Sequence, residues 1–202
     1  MRAGSRIVSA LLVWAVAATG AFAQGQPTRV RGAVAQVEGQ TMTVKTREGE
    51  TLSVRLADNL SVAAVEKRAL TDIKAGDYIG VTALPQGEGA WRAVAVHIFP
   101  EAMRGTAEGH RAWDLLPEST MTNATVADTV SRVQGSVLTL KYKDGEKKIE
   151  VSPETPIVAL VPGERSELKP GAKVVANATQ APDGSLQAAR VTVSRNGVEP
   201  PM

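Results

Sequence analysis

The chain has 202 residues, 43% of them hydrophobic, enough to supply cores for one to two ordinary domains. The formal charge is only +2, from 23 basic and 21 acidic side chains, and there is no cysteine. Disulfide staples, thiol chemistry and a strongly basic footprint for nucleic acid are therefore excluded as organising features.

The first segment carries Arg2 and Arg6, an apolar run from Ile7 to Ala18, and Ala21-Phe22-Ala23 ahead of Gln24. This order of charge, apolar stretch and small residues is that of a secretory signal, so residues 1–23 are expected to be removed and the protein to be periplasmic or secreted. The run is about twelve residues, short of the roughly twenty a membrane helix needs, and the mature chain offers no other span. Both excess positive charges leave with the signal.

Alternating strands follow. Val30, Gly32 and Val34, then Met42 and Val44, then Leu52, Val54 and Leu56 repeat with the period of two that places one face of a strand in a core. Glu48-Gly49 reads as a hairpin turn, in which glycine supplies a positive φ. A short helix is expected around Ser61 to Leu70. Lys74-Ala75-Gly76 reads as the turn into the strand Tyr78-Ile79-Gly80-Val81, and Arg92 to Phe99 as a closing strand.

The second half repeats the first. Val37 to Val44 aligns with Val133 to Leu140, and Arg47-Glu48-Gly49-Glu50 with Lys143-Asp144-Gly145-Glu146, where Asp144-Gly145 reads as a second hairpin. Asp72 to Gly76 aligns with Glu167 to Gly171, and Gly89 to Ile98 with Gly184 to Val193. Four blocks in one order point to a duplication. The expectation is an all-β protein of two tandem small barrels of the oligonucleotide/oligosaccharide-binding (OB) type, since closure removes the exposed edges of short strands. The first repeat covers residues 28–99 and the second 122–196. An ordered irregular connector spans 100–121 and a tail 197–202.

This order of a Val-rich strand, Gly turn, Thr-Val strand, acidic-Gly hairpin, Lys-x-Gly turn and Ala-rich closing strand resembles an exported bacterial family of unknown function with tandem OB-like repeats. The segment from Phe99 to Asp114, with Ser119-Thr120-Met121-Thr122-Asn123-Ala124, is similar to a two-copy family of this kind over nearly the whole mature chain. Proteins of this type often carry the label of metal-transporter permease. That label implies many membrane spans, which this sequence lacks, and the resemblance brings no catalytic residues with it.

The connector has no counterpart in either copy, which makes it the natural place to seek a site. His110 stands there with Glu108, Asp114 and Glu101, and with Met103 and Met121 flanking; imidazole, carboxylate and thioether can all hold a transition metal ion. His97, on the closing strand of the first copy, is a further candidate ligand if the connector folds back. The plainer reading makes the segment an interface: Trp113, Phe99, Met103, Arg104 and Met121 pack the two barrels together, with Leu115 beside Trp113 and charged neighbours forming surface ion pairs. His97 corresponds to Thr192 in the second copy, which favours a solvated strand face.

No catalytic elbow, phosphate loop, dinucleotide fingerprint or metalloprotease helix is present. The aromatic residues Tyr78, Trp91, Phe99, Trp113 and Tyr142 stand apart, without a basic stripe, so stacking on nucleic acid is not expected. The sequence reading is a non-catalytic binding or scaffold module needing no cofactor, with an envelope protein as possible partner. A metal-binding accessory protein centred on His110 is the alternative.

Overall fold

The computed structural model describes residues 27–132, 135–181 and 183–201; the expected signal, residues 1–23, lies outside them, as does residue 202 of the tail. Among the described residues there are twelve strands, three single-turn 3₁₀ segments and no α-helix. The first group is β1 (Pro27–Glu38), β2 (Thr41–Thr46) and β3 (Thr51–Lys67), followed by the hairpin β4 (Tyr78–Pro85) and β5 (Trp91–Ile98). After the short β6 (Gly109–Ala112) come β7 (Thr120–Arg132), β8 (Gly135–Tyr142), β9 (Gly145–Val151) and β10 (Ile157–Pro162), then the hairpin β11 (Lys173–Gln180) and β12 (Leu186–Val193).

The expected alternation forms these strands. Val30, Val34, Met42, Val44, Val54 and Leu56 are buried, while alternate neighbours such as Thr41, Ser53 and Arg55 face solvent. Gly49 takes φ +93° in its turn as expected. Gly145 does not: the turn falls on Lys143 and Asp144, and Gly145 opens β9 opposite Tyr142. Gly32 serves a different need, because a Cβ there would lie 2.1 Å from the Lys45 carbonyl oxygen where β1 crosses β2.

Strand pairing closes one five-stranded barrel. β1 pairs antiparallel with β2 and β11, β2 with β3, and β11 with β12; β12 then runs parallel to β3 and completes the circuit. The other strands form a second set in which β7 joins β4 and β8, β4 joins β5, and β8 joins β9. Its ends meet where β5 runs parallel to β9 at Arg92↔Glu150 and to β10 at Val96↔Ile157. β10 also lies antiparallel to β3, from Lys67↔Val158 to Ala63↔Pro162, and so ties the two sets together.

The strands of residues 28–99 therefore do not close on one another, nor do those of 122–196. The hairpin β4–β5 crosses to the strands of the second half, and β11–β12 crosses to those of the first. The cores are mixed accordingly. One gathers Val34, Met42 and Leu56 with Val174, Ala176 and Val191; the other gathers Ile79, Val81 and Val96 with Leu138, Leu140 and Ile149.

The cause lies in β3. It continues unbroken for 17 residues, which at about 3.3 Å per residue carries the chain well past the wall of a small barrel. β4 consequently begins beside the second set. This also replaces the expected helix at Ser61 to Leu70, because Ser61 to Lys67 is engaged by β12 and β10 and only Leu70–Asp72 makes a single 3₁₀ turn. In the second half Pro153 and Pro156, which have no N–H for a ladder, separate β9 from β10.

The segment 100–121 is ordered, but not irregular throughout. A 3₁₀ turn occupies Glu101–Met103, and β6 pairs with the start of β7 from Gly109↔Asn123 to Ala112↔Thr120.

Candidate functional site

All six residues from Tyr78 to Ala83 on β4 are buried, which requires cover on both faces of the strand. Ile79, Val81 and Ala83 point into the core of the second set. Gly80 and Thr82 take the opposite face, where Gly80 lies between His97 on β5 and Asn123 on β7, and Thr82 lies beside Met121.

The outer face of the barrel supplies the cover. Arg29 and Arg31 on β1, Val175 and Asn177 on β11, and Arg190 and Thr192 on β12 alternate with core residues and project outward. The two faces enclose a cleft of about 610 Å³, within the range of small-molecule sites. Phe99, Met103, Thr106 and Trp113 wall one side, and Pro200 and Pro201 reach in from the tail.

Hydrogen bonding in this cleft is incomplete. Asn123 donates from Nδ2 to the Thr106 carbonyl at 3.0 Å, and the Tyr78 hydroxyl donates to the same oxygen at 3.0 Å. Asn123 Oδ1 and Thr82 Oγ1 are left without a partner although Asn123 is 4% exposed and Thr82 0%. An unmatched buried acceptor or hydroxyl costs about 1–3 kcal/mol. Burial pushes the His97 imidazole down to about pKa 4. At neutral pH it is uncharged, with one ring nitrogen a donor and the other an acceptor.

The charge around the cleft is mostly positive. Asp114 pairs with Arg31 at 2.8 Å and with Arg29 at 3.3 Å. Burial raises the Asp114 pKa, but the Arg31 hydrogen bond and both guanidinium charges outweigh it and hold the carboxyl below its usual range. The Arg29 guanidinium stacks 3.8 Å from the centre of the Trp113 ring, with Arg111 at 5.5 Å. Arg111 donates to the Ala107 carbonyl at 2.7 Å; neither it nor Arg190 has a carboxylate partner among the described residues. Burial, and next the charge of Arg29, lower the Arg111 pKa, the expected consequence of crowding cations into a partly dry space.

The candidate metal ligands are not brought together. His110 Nδ1 lies 2.8 Å from Thr122 Oγ1, and its ring stands edge-on to Trp91 at 5.3 Å, with Lys147 4.2 Å over the other aromatic. Burial first, then Lys147 and Arg111, lower its pKa, an environment that also disfavours a metal cation. Glu101 is clamped by Arg104 at 2.6 and 2.7 Å, Glu108 accepts the Lys143 backbone N–H at 3.0 Å, and Asp114 is held by arginines. Among the described residues no three His, Cys, Asp or Glu side chains gather where they could hold an ion.

Of the expected interface residues, Trp113, Phe99, Met103 and Met121 line the cleft, while Arg104 turns away to Glu101 and the Gly76 carbonyl. His97 and Thr192, both half-buried, line the cleft from its two walls. Sequence reasoning missed Thr82, Asn123 and the four arginines. The available signal was the near-continuous apolar run Tyr78 to Leu84, which marks a strand covered on both sides.

A second, more open groove of about 1710 Å³ runs along Lys67 to Ile73, Pro153 to Val158 and Gly197 to Glu199. Strand residues Thr129, Gly135, Ser136, Ile157 and Val158 line it together with connecting segments, and the Thr129 hydroxyl also lacks a protein partner, but the four arginines and the tryptophan of the first cleft have no counterpart there.

These features define an all-β protein with a closed five-stranded barrel and an arginine-rimmed cleft against its flank. Among the described residues no helix is long and apolar enough to cross a membrane. Comparison of the chain with protein-family models, curated proteins and solved structures finds no match.

Proposed function

We propose that the protein is an exported, non-catalytic binding module whose ligand site is the cleft between the two strand sets. On this reading the sets are two OB-like barrels related by duplication, which have exchanged their C-terminal hairpins and thereby brought two outer faces together. The observation that supports it best is the pair of buried, unmatched polar atoms, Thr82 Oγ1 and Asn123 Oδ1, in an otherwise well-packed wall. No protein group bonds these two atoms, so a bound molecule can supply the partners they lack.

The test is a screen of small fragments, anionic, neutral and cationic, read by melting temperature and by tryptophan emission in a Trp91→Phe background of the mature chain, where Trp113 reports alone. A binder present at 100 times its Kd stabilises by about 2.7 kcal/mol. If no fragment shifts either signal, the cleft is not a binding site. Export is tested separately: on this reading the protein recovered from cells begins at Gln24.

One observation favours a metal-binding reading in changed form. His97 shares the cleft with the thioethers of Met103 and Met121, donors that suit Cu(I). The surrounding guanidinium charge opposes a cation, and the volume far exceeds what one ion fills. A Cu(I) titration of the parent and of His97→Ala decides it, since a real site loses its stabilisation in the variant.

A further inference from the structure

We propose that the ligand of this cleft is a small organic anion with an apolar body, carrying a neutral O–H or N–H donor at the end away from its charge. This rests on the binding reading above and adds the chemical class.

The charge follows from the rim. Arg29, Arg31, Arg111 and Arg190 all line the cleft, and the one carboxylate paired there, Asp114, is already shared by Arg29 and Arg31. Arg111 and Arg190 thus stand without a carboxylate partner among the described residues. Guanidinium groups are matched by carboxylate or phosphate oxygens through paired N–H donors. A ligand cation would meet four guanidinium charges against the single carboxylate of Asp114.

The donor follows from the inner wall. Asn123 donates from its one amide nitrogen to the Thr106 carbonyl, which leaves Oδ1 as an acceptor that only a donor satisfies. Thr82 Oγ1, on the adjacent stretch of β4, donates or accepts as required. No carboxylate lines this wall, so the donor is best neutral: an ammonium would be buried without a counter-charge. Neutral His97, across Gly80 from Asn123 in the sheet, accepts from the same end of the ligand or donates to it. The apolar body follows from Phe99, Met103, Met121 and Leu160, which line the same cleft.

A matched series on one phenyl ring tests the assignment: 4-hydroxyphenylacetate, phenylacetate and 4-hydroxyphenethylamine, titrated into the full protein while the His97 ring, Thr82 and Met methyl resonances are followed. The expected order is hydroxy-acid tightest, phenylacetate about fivefold weaker for the missing hydrogen bond, and no saturable binding of the amine. Arg111→Ala with Arg190→Gln should weaken the hydroxy-acid tenfold or more. Thr82→Val, which keeps the shape, should leave the melting temperature equal or higher yet remove the preference for the hydroxyl; a purely structural hydroxyl would instead lower it. If the amine binds as tightly as the hydroxy-acid, or the two acids bind equally, the ligand class is wrong although the cleft remains a site. If none of the series, and no member of the wider fragment screen, moves these resonances, both the class and the binding reading fall.

Discussion

His97 on β5 and Thr192 on β12 line one cleft from its two walls. They stand 95 residues apart and correspond to each other in the proposed duplication. Each sits on the outer face of its hairpin, and each hairpin has joined strands of the other half. The exchange thus turns two outward faces toward each other and makes an enclosed space that neither hairpin would form alone.

The half-buried imidazole of His97 gives a pH signature. The folded pKa of His97, about 4, lies below its unfolded value of about 6.5, so the unfolded chain takes up the proton first. Stability should be fully present above pH 6.5, fall as pH drops toward 4, and level off below. The ceiling is about 3.5 kcal/mol, at ~1.4 kcal/mol per pKa unit, and solvent at the half-buried ring brings the realised loss below it. Urea unfolding of His97→Gln between pH 5 and 7 should show a shallower slope than the parent, the residue coming from His110, whose pKa is also lowered. Glu167 titrates in a separate window: Arg195 holds it down to about 2, so its contribution is lost only as pH falls below about 4.5.

Trp113 anchors the connector to the barrel through Arg29, with Asp114 beside it bridging Arg31. Trp113→Ala removes the ring from a partly buried site and should cost about 2 kcal/mol. Asp114→Asn, an exposed pair partner, should cost about 1 kcal/mol or less. Denaturant midpoints measure both, and equal losses would contradict the packing role given to the ring.

Two glycines should respond differently to one added methyl group. At Gly32 the Cβ meets backbone, the Lys45 carbonyl, which cannot yield without parting β1 from β2; Gly32→Ala should cost about 3 kcal/mol or more. At Gly80 the neighbours are the side chains Asn123, at 2.8 Å, and Phe99, at 3.0 Å. They can move into the cleft, so Gly80→Ala should cost about 1–2 kcal/mol and weaken any cleft ligand. Thermal unfolding of both variants, with a binding titration of the second, checks the contrast.

Much of the strand content could be read directly, because alternation such as Val30, Gly32, Val34 and the turn at Gly49 are local signals. The partner of each strand could not. Met42 and Val44 need an apolar face opposite them, and Val174 and Ala176 from the distant hairpin satisfy that need as well as the nearer Ile79 and Val81 would. Only the uninterrupted length of β3, which weak helical spacing around Val62 and Val65 obscured, decides between the two. The site was hidden for the same reason. His110 drew attention as a rare residue in an unrepeated segment, yet its neighbours in sequence are held by arginines and backbone N–H groups. Thr82, Asn123 and Arg190 are ordinary strand residues until two outer faces meet.

The exchange of hairpins is tested most directly by cysteine pairs in this cysteine-free chain. Arg55 and Gln187 are exposed neighbours where β12 runs beside β3, and Arg92 and Glu150 are neighbours where β5 meets β9, close enough for a disulfide. If each half closed on itself, Gln187 would instead lie beside Glu150, and Arg92 beside Arg55. The account predicts that Arg55→Cys with Gln187→Cys oxidises to a single intramolecular crosslink while Glu150→Cys with Gln187→Cys does not. A crosslink in the second pair and none in the first would contradict it.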